Sequence, residues 1–255
     1  MTILETKQVC MYFGGLKAVE QVDMQVEKGE IFGVIGPNGA GKTTFFNVCS
    51  GNYAVTHGDV FLKGEAITGI RPEQIAAKGM ARTFQNIKLF NNMTVLDNIK
   101  IGFHMHTKTQ LWDAIFHTRA YRADEEAVER QGMELLEMVG LSEYALTKAG
   151  NLAYGTQRKV EIARALAMKP DILLLDEPAA GMNPNETMQL LSFVKMLNGM
   201  GYTIVVIEHD MKFIMNLCNR IMVLNYGKKL FSGTPEEVKN NDEVIEAYFG
   251  KPIAV

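Results

Sequence analysis

Gly36-Pro37-Asn38-Gly39-Ala40-Gly41-Lys42-Thr43-Thr44 puts glycines, a lysine and two hydroxyls into one short stretch. Without bulky Cβ groups at Gly39 and Gly41, backbone N–H groups can turn inward around a triphosphate. The helix expected to begin at Lys42 adds the positive end of its dipole. Lys42 supplies a point charge to the β- and γ-phosphates, and Thr43 a hydroxyl to Mg²⁺. The spacing is that of a phosphate-binding loop. A plain glycine turn is the weaker reading, because a strand pattern precedes the loop and a helix pattern follows it.

Ile172-Leu173-Leu174-Leu175-Asp176-Glu177 is an aliphatic run that stops in two acids. A buried parallel strand ending this way sets its carboxylates at the carboxyl edge of a sheet, where ligands bind in such folds. Asp176 would act on the hydrated Mg²⁺, and Glu177 would polarise the attacking water or accept its proton. The run 203–207 followed by Glu208-His209 repeats the geometry. A lone histidine there is more often a surface residue, yet this context makes His209 a candidate γ-phosphate contact. Gln85, after Arg82-Thr83-Phe84, carries no signal by itself.

The elements that must position these residues are legible in part. Val22, Met24 and Val26 alternate with Asp23, Gln25 and Glu27, which gives a strand with one buried face. Gly14-Gly15 and Lys28-Gly29 read as turns, 31–35 as a strand and 42–49 as a helix. From 86 to 151 helical periodicity takes over, with Val128, Leu135, Leu136 and Val139 on one face and Glu129 and Arg130 between. Strands return at 172–175, 203–207 and 221–224, with a connecting helix over 190–197. Asn225-Tyr226-Gly227-Lys228 reads as a hairpin turn. Thr234-Pro235-Glu236-Glu237 is a capping box that starts a final helix burying Val238, Ile245 and Phe249. The expected organisation is one domain, with a core over about 1–90 and 157–255 and a helical subdomain over about 91–156.

Composition narrows the class. The chain has 255 residues, 47% hydrophobic and 22% charged, an ordinary globular balance. Its net charge of −3 argues against a nucleic-acid partner, which calls for a concentrated basic surface. No apolar run approaches the ~18 to 20 residues of a membrane-spanning helix. Three scattered cysteines form neither a disulfide frame nor a zinc site. The expectation is a soluble cytosolic protein without a secretion signal.

The order of these features resembles the ATP-binding cassette family along nearly the whole chain. A phosphate loop is followed by Gln85, then Leu152-Ala153-Tyr154-Gly155-Thr156, then the Asp176-Glu177 strand and His209. The resemblance implies a RecA-like α/β core with an N-terminal antiparallel β subdomain and an inserted helical subdomain. It implies ATP and Mg²⁺, with Gln85 as the lid glutamine that touches the metal and His209 as the switch histidine. Phe13, before Gly14-Gly15, resembles the ring that stacks on adenine, with Tyr12 the second choice. Ala180-Gly181-Met182-Asn183 sits where the family's loop crosses between subunits.

One segment departs from the pattern. Where the family reads Leu-Ser-Gly-Gly-Gln, this chain has Leu152 to Thr156, so Ala153 stands in place of a serine. The lost hydroxyl would have bonded the γ-phosphate held by the opposite subunit, worth about 1.5 to 3 kcal/mol. Gly155, the expected helix start, keeps backbone N–H groups and a dipole for that phosphate, and Thr156 offers a hydroxyl.

Phe13-Gly14-Gly15-Leu16-Lys17-Ala18-Val19, Arg82-Thr83-Phe84-Gln85, Ala179-Ala180-Gly181-Met182-Asn183-Pro184 and Ile207-Glu208-His209-Asp210-Met211 narrow the resemblance. With a long helical stretch over 104–130, they are similar to the ATPases of high-affinity branched-chain amino acid importers. Lipopolysaccharide export, amide uptake and a soluble cassette protein acting on DNA or ribosomes are the alternatives. The implied partners are membrane permeases, a second ATPase (itself or a paralogue) in a head-to-tail dimer and, indirectly, a periplasmic or extracellular binding protein. The implied location is peripheral, on the cytoplasmic side of the membrane. Leu89 and Phe90 are expected to line a groove for a permease helix, with core packing as the alternative.

Overall fold

The structure is a computed structural model that describes residues 1–104 and 118–249. In chain order its elements begin with β1 (Thr2–Phe13), β2 (Leu16–Glu27), β3 (Ile31–Ile35), α1 (Lys42–Cys49), β4 (His57–Leu62) and β5 (Glu65–Ala66). Next come α2 (Pro72–Ala77), β6 (Met80–Arg82), α3 (Val95–Phe103), α4 (Arg119–Met138) and α5 (Tyr154–Ala167). After them run β7 (Ile172–Asp176), α6 (Pro184–Gly199), β8 (Thr203–Ile207), α7 (Met211–Leu217), β9 (Arg220–Asn225) and β10 (Lys228–Gly233). Two short helices end the described chain, α8 (Pro235–Lys239) and α9 (Asp242–Phe249).

Two compact units form, Met1–Gln85 with Asp171–Val255, and Asn86–Pro170. The first holds both sheets. One is antiparallel in the order β2-β1-β4-β5, and the other runs β10-β9-β3-β8-β7-β6. In the larger sheet β3, β6, β7, β8 and β9 are parallel, and only β10 turns back on β9. All of β3, β7 and β8 is buried, which is why these strands read as unbroken apolar runs. β2 keeps the expected alternation, with Val22, Met24 and Val26 inside. Phe45 and Phe46 of α1 join Val9 and Val22 of one sheet and Val34, Leu174 and Leu224 of the other in a single core cluster. At the β9–β10 hairpin Tyr226 and Gly227 both have positive φ, 46° and 77°, as a two-residue turn matched to strand twist requires.

In the second unit the Thr94 hydroxyl accepts from the Asp97 N–H at 3.0 Å, and Asp97 returns the bond to the Thr94 N–H at 3.3 Å. That capping box starts α3. The helix lies against α5 so closely that a Cβ on Gly102 would stand 2.4 Å from the Arg164 carbonyl oxygen. Leu135, Leu136 and Val139 of the α4 region are buried while Glu129 and Arg130 face solvent.

Three expectations need correcting. The helical unit runs from 86 to 170, not 91 to 156, because α5 packs on α3 and so falls inside it. The C-terminal segment is two helices, broken at Asn240-Asn241, where Asn241 Oδ1 accepts from the Val244 N–H at 3.0 Å and opens the second. Val238 is buried, but Ile245 is 42% exposed. The side chain of Phe249 and residues 105–117 of the long helical stretch lie outside the described residues. Finally, α5 begins at Tyr154, one residue before Gly155.

Candidate functional site

The phosphate loop joins the end of β3 to α1. Gly41 takes φ 96°, and a Cβ there would stand 2.3 Å from the Ala18 carbonyl oxygen, so only glycine fits. Gly39 has φ 79° but open space around it, so its constraint is backbone conformation alone. Lys42 folds back over the loop, and its Nζ donates to the carbonyls of Gly36 at 2.7 Å and Pro37 at 3.0 Å. Burial lowers its pKa below the usual lysine range, while the carboxylates of Glu177, Asp176 and Glu208 pull the other way. A cation so enclosed has much to gain from an anion in front of it.

The cleft before this loop has a volume of about 530 Å³. Phe13, the residues from Asn38 to Thr44, and Glu177 line it, together with Lys17, Ala18, Tyr226 and Gly227. Phe13 is 43% exposed and is held edge-on by Tyr53, with ring centroids 5.5 Å apart. Tyr12 instead packs edge-on to His57 and is not among the lining residues.

Glu177 gathers the other candidates. Its Oε2 accepts from Gln85 Nε2 at 2.9 Å, and His209 Nδ1 stands 3.7 Å from the same oxygen. Glu177 holds φ 43°, a conformation that non-glycine residues adopt at a cost of about 1–3 kcal/mol. Its own N–H is tied to the Ile207 carbonyl at 2.9 Å, which fixes the turn leaving β7 against the end of β8. A carboxylate at a cleft wall, bonded to an amide and beside an imidazole, can orient water and take a proton.

Asp176 is 3% exposed, and its Oδ2 accepts from Arg82 Nη2 at 2.8 Å. Thr43 Oγ and the carboxyl and amide oxygens of Asp176 and Gln85 are the hard donors available for a metal. Among the described residues no group of three or more His, Cys, Asp or Glu forms a cage of its own. A donor set this sparse suits a cation that shares its shell with phosphates and water.

Ala153, Gly155 and Thr156 belong to the second unit and do not line this cleft. Ala153 is the N-cap of α5, extended, exposed and without a side-chain hydrogen bond, and Gly155 is buried in the first turn. In the crossing-loop segment Asn183 caps α6, accepting from the N–H groups of Asn185 and Glu186 at 3.0 Å each. Phe90 is 51% exposed, which removes the core alternative for its ring. Its backbone is held by Asn98, which is fully buried.

Two residues acquire roles that sequence reasoning did not assign. Glu208 is 1% exposed and accepts from the N–H groups of Ala179 at 2.7 Å and His209 at 3.1 Å. Burial raises its pKa, and those two N–H groups oppose the rise. It braces the loop after Glu177. The other is Arg82, whose signal was a cation at the end of an otherwise apolar strand.

The comparisons with known proteins agree with this geometry. A family profile described as ABC transporter matches residues 19–180, and one described as branched-chain amino acid ATP-binding cassette transporter matches 228–254. The high-affinity branched-chain amino acid transport ATP-binding protein BraF of Pseudomonas aeruginosa is 45% identical, covering 98% of this chain and 98% of its own. LivG of Escherichia coli, of the same description, is 45% identical with 98% of each chain covered. Among solved structures, a nucleotide-free ATP-binding cassette from an ABC transporter matches at a TM-score of 0.85 and 34% identity, over 98% of this chain and 100% of its own. A cassette in its ADP conformation matches at 0.85 and 33%, with the same coverage. Likeness that extends over both units and almost every residue leaves one conclusion: the chain belongs to the ABC transporter family, as an ATP-binding cassette.

Proposed function

We propose that this chain is the ATP-hydrolysing subunit of an importer of branched-chain amino acids. The observation that carries the reading is its near-complete alignment with proteins so described, joined by the match at 228–254 to a profile for that transport class. Among the described residues no helix is long and apolar enough to cross a membrane. Passage of the amino acid therefore falls to permease partners, with this subunit bound peripherally at the cytoplasmic face. The half-exposed Phe90 and its neighbour Leu89 offer such a partner an apolar contact. A periplasmic or extracellular binding protein would deliver the cargo.

Lys42 and the N–H groups of the phosphate loop hold the phosphates, and Phe13 stacks on the base. Thr43, Asp176 and Gln85 would hold Mg²⁺, which would supply positive charge to offset that of the phosphates. Glu177 orients the attacking water and takes its proton, and His209 contacts the γ-phosphate. The two carboxylates divide the work by position. Asp176 is locked to Arg82, while Glu177 faces the cleft with Gln85 on it. A second cassette, this chain or a paralogue, meets it head to tail, each presenting Ala153, Gly155 and Thr156 to the other's ATP.

Deleting this chain's gene is expected to abolish high-affinity uptake of leucine, isoleucine and valine, and the wild-type gene to restore it. Glu177→Gln should bind MgATP normally, lose about 10²-fold or more in turnover and fail to restore uptake. Branched-chain uptake left intact by the deletion, with another solute lost, would replace the cargo. Glu177→Gln turnover close to wild type would remove that residue from catalysis.

A further inference from the structure

Arg82 is 8% exposed and sits where β6, β7 and α1 meet. Its Nη2 donates to Asp176 Oδ2 at 2.8 Å, at the end of β7. Its Nη1 donates to Asn47 Oδ1 at 2.8 Å and to Ser50 Oγ at 2.7 Å, along α1 and its C-cap. The rings of Phe46 and Phe84 flank the guanidinium, with centroids 5.7 and 5.5 Å away. Asn47 and Ser50 continue the stripe of α1 that Thr43 opens, at spacings of four and seven residues. One planar fork thus spans the helix that bears Thr43 and the strand that bears Asp176. Its geometry is rigid in a way that a lysine ammonium is not. Oδ2 accepts from the guanidinium, and the carboxylate keeps further lone pairs for a cation.

We propose that Arg82 is a positioning residue for the metal. It registers Asp176 against Thr43, so that both oxygen donors serve one divalent cation. The inference rests on the assignment of Thr43 and Asp176 to Mg²⁺ made above. It also gives the segment leading to Gln85 a buried anchor at its root. A cation arriving at Asp176 is then felt at the start of the segment whose amide contacts Glu177.

A purely structural ion pair would lower stability and leave the cation requirement untouched. Three variants separate the roles. Arg82→Met keeps length and apolar body but loses charge and fork. Arg82→Lys keeps the charge alone. The double variant Asn47→Ala/Ser50→Ala removes the brace while leaving the Arg82–Asp176 pair. The readouts are binding of trinitrophenyl-ATP by anisotropy, in EDTA and across a Mg²⁺ titration, and the melting temperature of each protein. Binding in EDTA should stay at the wild-type level for all three.

The Mg²⁺ midpoint should rise about 10- to 100-fold in Arg82→Met, the usual scale for losing a partner that orients a metal ligand. It should rise less in Arg82→Lys and in the double variant. An unmoved midpoint in folded Arg82→Met overturns the inference. If that variant does not fold, an unmoved midpoint in the double variant overturns it instead. Thr43→Val distinguishes the two layers. Should wild type and Thr43→Val respond to Mg²⁺ alike, the metal assignment fails and the inference with it. A normal wild-type response with unmoved Arg82 variants sinks the inference alone.

Discussion

Two of the described helices of at least eight residues start without a side-chain cap, and they do so for different reasons. Among the described helices of at least eight residues, α3, α4 and α6 take caps from Thr94, Thr118 and Asn183, and α9 from Asn241. The N-caps of α1 and α5 are Gly41 and Ala153, and neither supplies a side-chain bond. A side-chain cap is worth about 1 kcal/mol, and without one the first-turn N–H groups stay available to an outside acceptor. At α1 the absence is forced, because Gly41 is pressed against Ala18 in a backbone shape that only glycine tolerates. At α5 nothing forces it. Ala153 is exposed and extended, a conformation in which serine would cap well. The phosphate end is therefore fixed by packing, whereas the α5 end is set by one side chain and can be tuned.

The sharpest way to break this comparison is Gly155→Asp, which sets a carboxylate in the open first turn of α5. ATP-driven dimerisation should be lost, and ATPase in the assembled transporter should fall about 10²-fold or more. The melting temperature reports separately on folding of the buried site. Normal hydrolysis would mean that α5 does not face a nucleotide. A smaller effect is expected at the other end of the ligand. Phe13→Ala should weaken ATP binding by about 1 kcal/mol and leave the saturated rate unchanged, since stacking is a modest contribution. Unchanged affinity would take the adenine contact away from Phe13. The smallest effect should come from Ala153→Ser. A restored cap should raise the melting temperature by ~1–3 °C and hold the ATP-bound dimer at least as tightly. A weaker dimer would mean that the α5 end is as constrained as the α1 end.

Much of the candidate site could be proposed from the sequence because its chemistry is local. The phosphate loop needs its glycines and lysine within a few residues, and β3, β7 and β8 read as strands because burial on both faces makes them continuously apolar. The Tyr226-Gly227 turn was legible for the same local reason. Roles that depend on distant partners were not. Arg82 receives no role of its own from the sequence, because Asn47, Ser50 and Asp176 converge on it only in the fold. The allegiance of α5 was missed because its own periodicity does not say which helix it will lie against. The bare backbone of Gly102 is what lets α3 and α5 lie so close. Thr234 announces a helix start correctly, yet nothing near it told where Asn241 would begin another.

The placement of β3 has a consequence for how the protein is made. Both neighbours of this strand, β8 and β9, come from the last part of the chain. The loop that follows β3 is also tied late, by the Gly227 N–H donating to the Ala40 carbonyl at 3.0 Å. A ribosome delivers the N-terminal residues first, and long-range pairings wait for their partners. A nascent chain that has not reached Thr203 therefore carries the complete phosphate-loop sequence with neither neighbour of β3 in place. The strand that carries the phosphate loop is thus completed on both edges only when the last part of the chain has been made.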